Sequence, residues 1–150
     1  MKLTPHFTLE ELVASQTAAR RGIDNTPGPD ALKNLGILAA GLERARALLG
    51  APMLISSGYR CPALNTAVGG ARNSAHKSGL AADFIAPGYG TPIQVCRLLE
   101  AHADEIGFDQ LIQEGTWVHI GFPAPNTAPR REVLTANFGA GGTTYSKGLS

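Results

Sequence analysis

The sequence predicts an α+β fold, a small antiparallel sheet flanked by helices, on three observations. The chain has 150 residues, the usual size of one domain, and shows no internal repeat or domain boundary. Apolar residues recur at helical spacing in some segments and form short strand-like runs in others. The 18 glycines and 10 prolines indicate many turns between few elements. We therefore expect one domain over 1–150, with a helix and loop over 1–30 and a coil-rich tail over 123–150.

The N-terminal elements follow from capping and turn residues. Residues 8–11 (Thr-Leu-Glu-Glu) match a capping box, which predicts a short helix running into Gly22. A loop with two prolines over 27–29 comes next, and Asp30 is the expected cap of a longer helix that ends near Leu49. The leucines of that helix recur at helical spacing: Leu35, Leu38, Leu42 and Leu49.

The middle of the chain alternates short strands with helices. Met53 to Ser56 is a short apolar strand, and Asn65 to Val68 is a helical turn. Leu80 to Ile85 has the composition of a buried strand. A third helix is predicted over Thr91 to Ile106, with Thr91 as its cap and Pro92 at its first position.

Two later segments predict a hairpin. Gln110 to Glu114 and Trp117 to Phe122 alternate like strands, and Gly115-Thr116 suits a two-residue turn. In that register Glu114 pairs with Trp117, and Ile112 pairs with His119. Glu114 and His119 then lie on one face as diagonal neighbours, roughly 7 to 8 Å apart. A slip of one residue would move Glu114 to the other face.

The two ends of the chain carry weaker signals. The first seven residues lack the apolar stretch of a secretory signal, so we expect synthesis in a cytoplasm without export by that route. The tail from Pro123 is rich in Pro, Asn, Gly and Thr. We interpret it as extended coil with at most one short strand near Val133.

Composition excludes several functional classes. The chain is 43% hydrophobic, which supports a buried core and argues against disorder. Its 13 Lys and Arg residues against 12 Asp and Glu residues leave no basic excess for binding nucleic acid. Cys61 and Cys96 stand apart, which excludes a disulfide framework and a zinc ribbon. No apolar run reaches the roughly 18 to 20 residues that cross a bilayer. We expect a monomer that does not insert into membranes.

Asp83 is the first residue that needs a chemical explanation. It stands inside an apolar run, Leu-Ala-Ala-Asp-Phe-Ile-Ala over 80–86. A buried carboxylate costs several kcal/mol unless it is paired or bound to a cation. Its partner is therefore an arginine, a row of backbone amides, or a metal ion.

His119 is the second such residue. Strand alternation places it with Trp117 on the face opposite the apolar side chains of its strand: Val118, Ile120 and Phe122. A histidine there is a hydrogen-bonded structural residue or a ligand. With His76 and Asp83 it gives two imidazoles and a carboxylate, and catalytic zinc sites use three such ligands with one position open. The H-E-x-x-H helix is absent, so a loop and two strands would have to assemble the site.

These residues fall in a recognisable pattern. Residues 74–83 (Ser-x-His-x-x-Gly-x-Ala-x-Asp), followed by Trp-Val-His at 117–119, resemble the zinc-binding pattern of the M15 peptidases. Those are D-Ala-D-Ala carboxypeptidase-like peptidoglycan hydrolases, whose fold is shared with the hedgehog signalling domain. Residues 55–65 resemble the segment with their substrate-binding arginine. Residues 7–12 and 131–134 resemble the compact bacteriophage branch, so the similarity covers nearly the whole chain.

The resemblance implies a role for each matching residue. His76, Asp83 and His119 would bind one zinc ion. Arg60 would bind a carboxylate of the peptide stem, which its fork of N–H donors suits; the alternative is a structural salt bridge to Asp83 or another acid. Ser74 would line the site and hydrogen-bond substrate, or else brace the loop that carries His76.

The general base is less directly implied. Many members carry the catalytic carboxylate three residues before the last histidine, where this chain has Thr116. Glu114 is the nearest acid and fits the hairpin geometry, so we expect it to be the base. Asp109 is the alternative, although it also suits a strand or turn cap. His6 and His102 match no motif, and His102 is expected on the surface.

The implied function is a zinc-dependent peptidase that cleaves the stem peptides of peptidoglycan. The phage-like form suggests an endolysin that cuts an L-Ala–D-Glu or cross-link bond. It would be made in the host cytoplasm and act in the periplasm or cell wall, after release through a holin-type pore or as a virion component. A D-Ala-D-Ala carboxypeptidase is one alternative. A non-catalytic virion or structural protein is another, supported by Thr116.

Overall fold

The computed structural model describes all residues 1–150 as an α+β domain, which confirms the predicted fold class. None of its helices is both long enough and apolar enough to span a bilayer. The helices are α1 (Leu9–Val13), α2 (Gln16–Arg21), α3 (Pro29–Leu49), α4 (Pro62–Ala67), α5 (Pro92–Ala101) and α6 (Ala103–Ile106), with a 3₁₀ helix at Ala75–Ser78. The strands are β1 (Lys2–Thr4), β2 (Phe7–Thr8), β3 (Leu54–Ser57), β4 (Ala81–Ile85), β5 (Gln110–Gln113), β6 (Val118–Gly121), β7 (Glu132–Gly139) and β8 (Gly142–Lys147).

The main sheet has six strands in the order β3-β4-β6-β5-β7-β8. Four of its five pairs are antiparallel, and β5 and β7 run parallel. Strands β1 and β2 form a separate two-stranded ribbon. The sheet is thus larger than the sequence predicts, and the parallel pair makes it mixed.

The core lies between α3 and one face of the sheet. The four leucines that predicted a helical stripe are all buried and belong to one apolar cluster. From the sheet this cluster takes Phe84, Val118 and Ile120, which alternate with the residues of the opposite face. Gly41 lets α3 approach the sheet closely, because a Cβ there would overlap the Phe122 ring. The opposite face of the sheet does not pack on α3, and it carries Asp83 and His119.

Capping determines where the N-terminal helices begin and end. The capping box is confirmed: Thr8 Oγ1 accepts from the Glu11 N–H at 3.2 Å, and Glu11 accepts from the Thr8 N–H at 2.8 Å. The single helix predicted up to Gly22 is wrong, because Ser15 caps a second one through the N–H of Ala18. Gly28, not Asp30, occupies the N-cap of α3, with a proline at the first position and Asp30 in the first turn.

The third predicted helix also divides in two. Thr91 caps α5 and Pro92 begins it, as predicted. The helix ends at Ala101, because His102 leaves helical geometry at φ −117° and becomes the cap of α6. The helical turn predicted at 65–68 is part of a helix that begins earlier, at Pro62.

The short strand predicted near Val133 is present as β7, but the coil predicted for the rest of the tail is wrong, because the tail also forms β8. Strands β7 and β8 form a hairpin over 132–147 that extends the sheet beyond β5. Asp109 holds the start of this hairpin: it accepts from the backbone N–H of Arg130 at 2.8 Å and from its guanidinium at 2.8 and 3.0 Å. Arg131 then turns the chain at φ 54° into β7. Pairing with β5 and the anchor at Asp109 therefore hold this element, whose apolar alternation is limited to Leu134, Ala136 and Phe138.

Candidate metal centre

The loop before β4 holds His76 in a fixed orientation. Ser74 caps the 3₁₀ helix by accepting from the His76 N–H at 3.2 Å. Gly79 ends that helix at φ +77°, a conformation that favours glycine. The buried His76 ring lies 2.7 Å, through Nδ1, from the carbonyl oxygen of Gly58. Its other nitrogen, Nε2, points to the sheet.

The sheet register brings the other two candidate ligands together. Asp83 on β4 and His119 on β6 are direct partners across an antiparallel pair, so they share one face. Asp83 Oδ1 lies 3.0 Å from His119 Nδ1 and 3.2 Å from His76 Nε2. The ligand atoms of all three residues lie within 4.8 Å of one another. The structure thus assembles the predicted set from one loop and two strands.

The hydrogen bond of His76 decides what its Nε2 can do. A backbone carbonyl only accepts, so Nδ1 of His76 carries the proton that reaches Gly58. In a neutral imidazole Nε2 then presents a lone pair to a carboxylate oxygen 3.2 Å away. Two electron-rich atoms so close need a cation between them, either a second proton or a metal ion. The donor set of two imidazole nitrogens and one carboxylate oxygen fits zinc, and the Gly58 contact is the outer-shell bond that zinc-bound histidines make.

Asp83 is ionised despite its burial. Burial would raise its pKa, but the contacts of the carboxylate with the imidazoles of His119 and His76 hold the pKa well below its usual range. A metal-binding carboxylate must be deprotonated, so this environment favours binding of a cation.

Arg60 contacts Asp83 from the other side. Its Nη2 lies 3.4 Å from Asp83 Oδ2, while Nε donates to Ser57 at 3.1 Å and Nη1 to Asn65 at 3.3 Å. The salt bridge considered for Arg60 is therefore present. The same residue also lines the cleft in front of the metal centre. Burial lowers the pKa of Arg60 and the charge of Asp83 raises it.

Glu114 occupies the position that the hairpin predicted. Ile112 pairs with His119, and the Glu114 N–H donates to the Trp117 carbonyl at 3.0 Å, so the register is confirmed. Gly115 turns the chain at φ +80°. Burial raises the pKa of Glu114; the His119 ring opposes this and the Asp83 carboxylate adds to it. A carboxyl group with a raised pKa beside a metal centre is suited to proton transfer.

An open cleft of about 710 Å³ contains all these groups. Its lining includes all six candidate site residues: Arg60, Ser74, His76, Asp83, Glu114 and His119. The tail hairpin supplies a further part of the lining, which the sequence analysis missed: Leu134, Phe138, Thr143 and Tyr145. In the sequence, the alternation of Leu134, Ala136 and Phe138 and the aromatic ring of Tyr145 are the signals that could have indicated this.

The remaining candidates lie elsewhere. Asp109 is bound to Arg130 and does not line the cleft, so it is a structural anchor and not a second base. His6 bonds to Glu43 at 2.8 Å, and His102 bonds to Glu105 at 3.0 Å near the surface, as expected for residues outside the motif.

Comparison with known proteins agrees with this geometry. The sequence model described as peptidase M15 matches residues 5–121, which include the whole metal centre and Glu114 but not the tail hairpin. No curated protein matches the chain. The peptidases of that family are metal-dependent, which is consistent with the cluster of His76, Asp83 and His119. Because the match covers well over half of the sequence, the chain belongs to the peptidase M15 family.

Proposed function

We propose that this protein is a zinc-dependent peptidase that cleaves the stem peptides of peptidoglycan. One observation carries the proposal: Asp83 Oδ1 faces two imidazole nitrogens at 3.0 and 3.2 Å at the base of an open cleft. His76, Asp83 and His119 would hold the metal. When bound, a zinc ion lowers the pKa of water and polarises the scissile carbonyl.

The protein's own residues supply the proton transfer. Glu114 lies on the same face of the sheet as His119, two residues after Ile112, the strand partner of His119. Its carboxylate accepts a proton from the attacking water and delivers it to the leaving amine. Half-burial raises the pKa of Glu114, which brings the carboxyl group closer to the neutral range where both transfers are efficient.

The substrate class follows from Arg60, Ser74 and the motif resemblance. Stem peptides carry free carboxylates, and a guanidinium at the cleft wall is suited to bind one. Arg60 already donates to Asp83 at 3.4 Å, a weak contact that a substrate carboxylate can compete with. The Ser74 hydroxyl accepts from the His76 N–H and keeps its own proton for a substrate carbonyl.

The phage-like motifs favour an endolysin that cuts an L-Ala–D-Glu or cross-link bond in the periplasm or cell wall, reached through a holin-type pore or from a virion. A D-Ala-D-Ala carboxypeptidase is the second enzymatic candidate. Thr116 favours a third, non-catalytic candidate, since many relatives place the catalytic acid at that position.

Mass spectrometry of muropeptides separates these candidates. Purified peptidoglycan is digested with the zinc-loaded protein, with the same protein after chelation, and with His76→Ala and the surface control His102→Ala. The proposal predicts new stem-peptide fragments with wild type and His102→Ala, and none after chelation or with His76→Ala. Release of terminal D-alanine alone would indicate the carboxypeptidase. Stoichiometric zinc without any product would favour the non-catalytic protein, and digestion that survives complete metal removal would exclude a metallopeptidase.

A further inference from the structure

The tail hairpin forms a wall of the cleft that lies outside the family match. The match ends at residue 121, whereas β7 and β8 cover 132–147. Four residues of the hairpin nevertheless line the cleft around the metal centre. The family match therefore does not describe what this wall contributes to the cleft.

The strand register places Tyr145 in line with Glu114. Asp83, His119 and Ile112 are successive partners across β4, β6 and β5. Ile112 in turn pairs with Leu134 on β7, so the next position on the same face sets Glu114 beside Ala136. Ala136 pairs directly with Tyr145 on β8.

The side chain between Glu114 and Tyr145 is small. Neighbouring strands lie about 4.8 Å apart, so the two backbones are separated by about 10 Å with only the Ala136 methyl group between them. Ala136 is itself buried and does not line the cleft, so the side chains around it cover its methyl group. A substrate would therefore lie above Ala136, between the Glu114 carboxylate and the Tyr145 phenol, which both line the cleft.

Phe138 fixes the hairpin to the turn that carries Glu114. A Cβ at Gly115 would lie 3.0 Å from Phe138 Cε2, so the ring covers the backbone of that turn. Phe138 and Tyr145 are nevertheless 60% and 52% exposed, although both line the cleft. The wall therefore offers two aromatic side chains whose outer surfaces no other part of the protein covers.

The electrostatic surroundings keep the Tyr145 hydroxyl protonated. Burial raises the pKa of Tyr145, and the carboxylates of Glu114 and Asp83 raise it further. A phenol that keeps its proton is a hydrogen-bond donor at neutral and mildly alkaline pH.

We propose that Tyr145 is a substrate-contacting residue, which donates a hydrogen bond to a carbonyl oxygen of the bound peptide beside Glu114, while Phe138 packs against the same peptide. The choice of a peptide as ligand rests on the proposed function. Both contacts form when substrate binds, so their main effect is on KM and not on kcat.

The test compares Tyr145→Phe with Tyr89→Phe in the zinc-loaded protein. Tyr89 is also exposed, at 41%, but lies outside the cleft, so it is the matched control. With cross-linked muropeptide dimers as substrate, Tyr145→Phe should lower kcat/KM about tenfold, mainly through KM, because one hydrogen bond to substrate is lost. Phe138→Ala should also raise KM. Zinc content should remain as in wild type for all three variants, and thermal unfolding should remain as in wild type for the two tyrosine variants.

The possible results separate this inference from the proposed function. If wild type turns over the dimers and the kcat/KM of Tyr145→Phe is within twofold of that of Tyr89→Phe, the role of Tyr145 is overturned. The proposed peptidase activity would then still stand. If wild type gives no turnover, binding of the same dimers is followed through the fluorescence of Trp117, the single tryptophan. Binding about tenfold weaker in Tyr145→Phe supports the contact, equal binding overturns it, and no binding by wild type overturns both proposals.

Discussion

At the residue scale, the centre depends on one carboxylate oxygen that two imidazoles share. Asp83 Oδ1 is the common neighbour of His76 and His119, and Oδ2 is left to Arg60. Asp83 on β4 therefore contacts His76 in the loop before its own strand, His119 on β6, and Arg60 between β3 and α4. The chemistry itself requires one more group, the base.

Glu114→Gln tests the assigned base. The amide keeps the size of the side chain but cannot take a proton, so kcat should fall at least 100-fold while zinc content stays at the wild-type level. Glu105→Gln, the same substitution on the exposed face of α6, should leave kcat unchanged. Full activity of Glu114→Gln in a muropeptide assay would remove Glu114 from the mechanism.

Asp109→Asn tests the anchor of the tail. Burial raises the pKa of Asp109, but hydrogen bonds from Arg130 outweigh this and keep the pKa below its ordinary value. The carboxylate thus stabilises the fold above about pH 4, and this contribution disappears as the pH falls through the lower pKa of the folded state. In urea unfolding, Asp109→Asn should cost about 1 kcal/mol at pH 7 and almost nothing near about pH 2.

The control for that experiment is Asp104→Asn, at a carboxylate that is 81% exposed. Its effect should stay below about 0.5 kcal/mol at both pH values. An Asp109→Asn penalty that does not change with pH would contradict the assigned ion pair.

At the scale of elements, the sequence predicted the helix caps and the hairpin register, which depend on residues close together in the chain. The capping box at Thr8, the cap at Thr91 and the pairing of Ile112 with His119 all depend on neighbouring residues, and all are confirmed. The sequence did not predict the helix ends at Ser15 and His102, because apolar periodicity continues through both positions. The backbone nevertheless leaves helical geometry at each of these two residues.

The tail could not be predicted for a different reason. All six residues of β8 are exposed, and no alternating apolar pattern marks that strand. In β7, Leu134, Ala136 and Phe138 do alternate with polar residues, but this short run lies in a tail whose Pro, Asn, Gly and Thr content favours coil. What fixes the hairpin is its parallel register with β5 and the long-range bond of Arg130 to Asp109. The cluster of His76, Asp83 and His119 could be predicted because the spacing of these residues matches a family motif, whereas the hairpin around Tyr145 lies outside the matched residues.

Gly41→Ala tests the contact between α3 and the sheet. An added methyl group would overlap the Phe122 ring, so the variant should lose about 1 to 3 kcal/mol in urea unfolding. Gly36 lies on the same helix with open space around its Cα, and Gly36→Ala should gain about 0.5 to 1 kcal/mol. Equal effects at the two glycines would show that α3 does not pack as described.

At the scale of the whole molecule, the sheet separates two environments. One face packs on the helices and contains the apolar cluster, while the other face carries the candidate metal ligands and the cleft. The reactivity of a buried thiol in this cluster therefore measures whether the helices stay packed on the sheet.

Cys96 is that thiol. It is fully buried on α5, and burial, with the charge of Glu100, raises its pKa to about 12. In a Cys61→Ser background, Cys96 should resist a thiol reagent at pH 8 in native buffer and react only as urea unfolds the chain. Rapid native labelling, at the rate of a free cysteine, would contradict the packing of α5.

The central claim is that His76, Asp83 and His119 hold one divalent ion, and zinc content after equilibrium dialysis tests it most directly. Wild type and His102→Ala should retain one zinc per chain, while His119→Ala should bind at least 100-fold more weakly, because it loses a direct ligand. Zinc retention by His119→Ala equal to that of wild type, or a wild type that retains no zinc, would contradict the account.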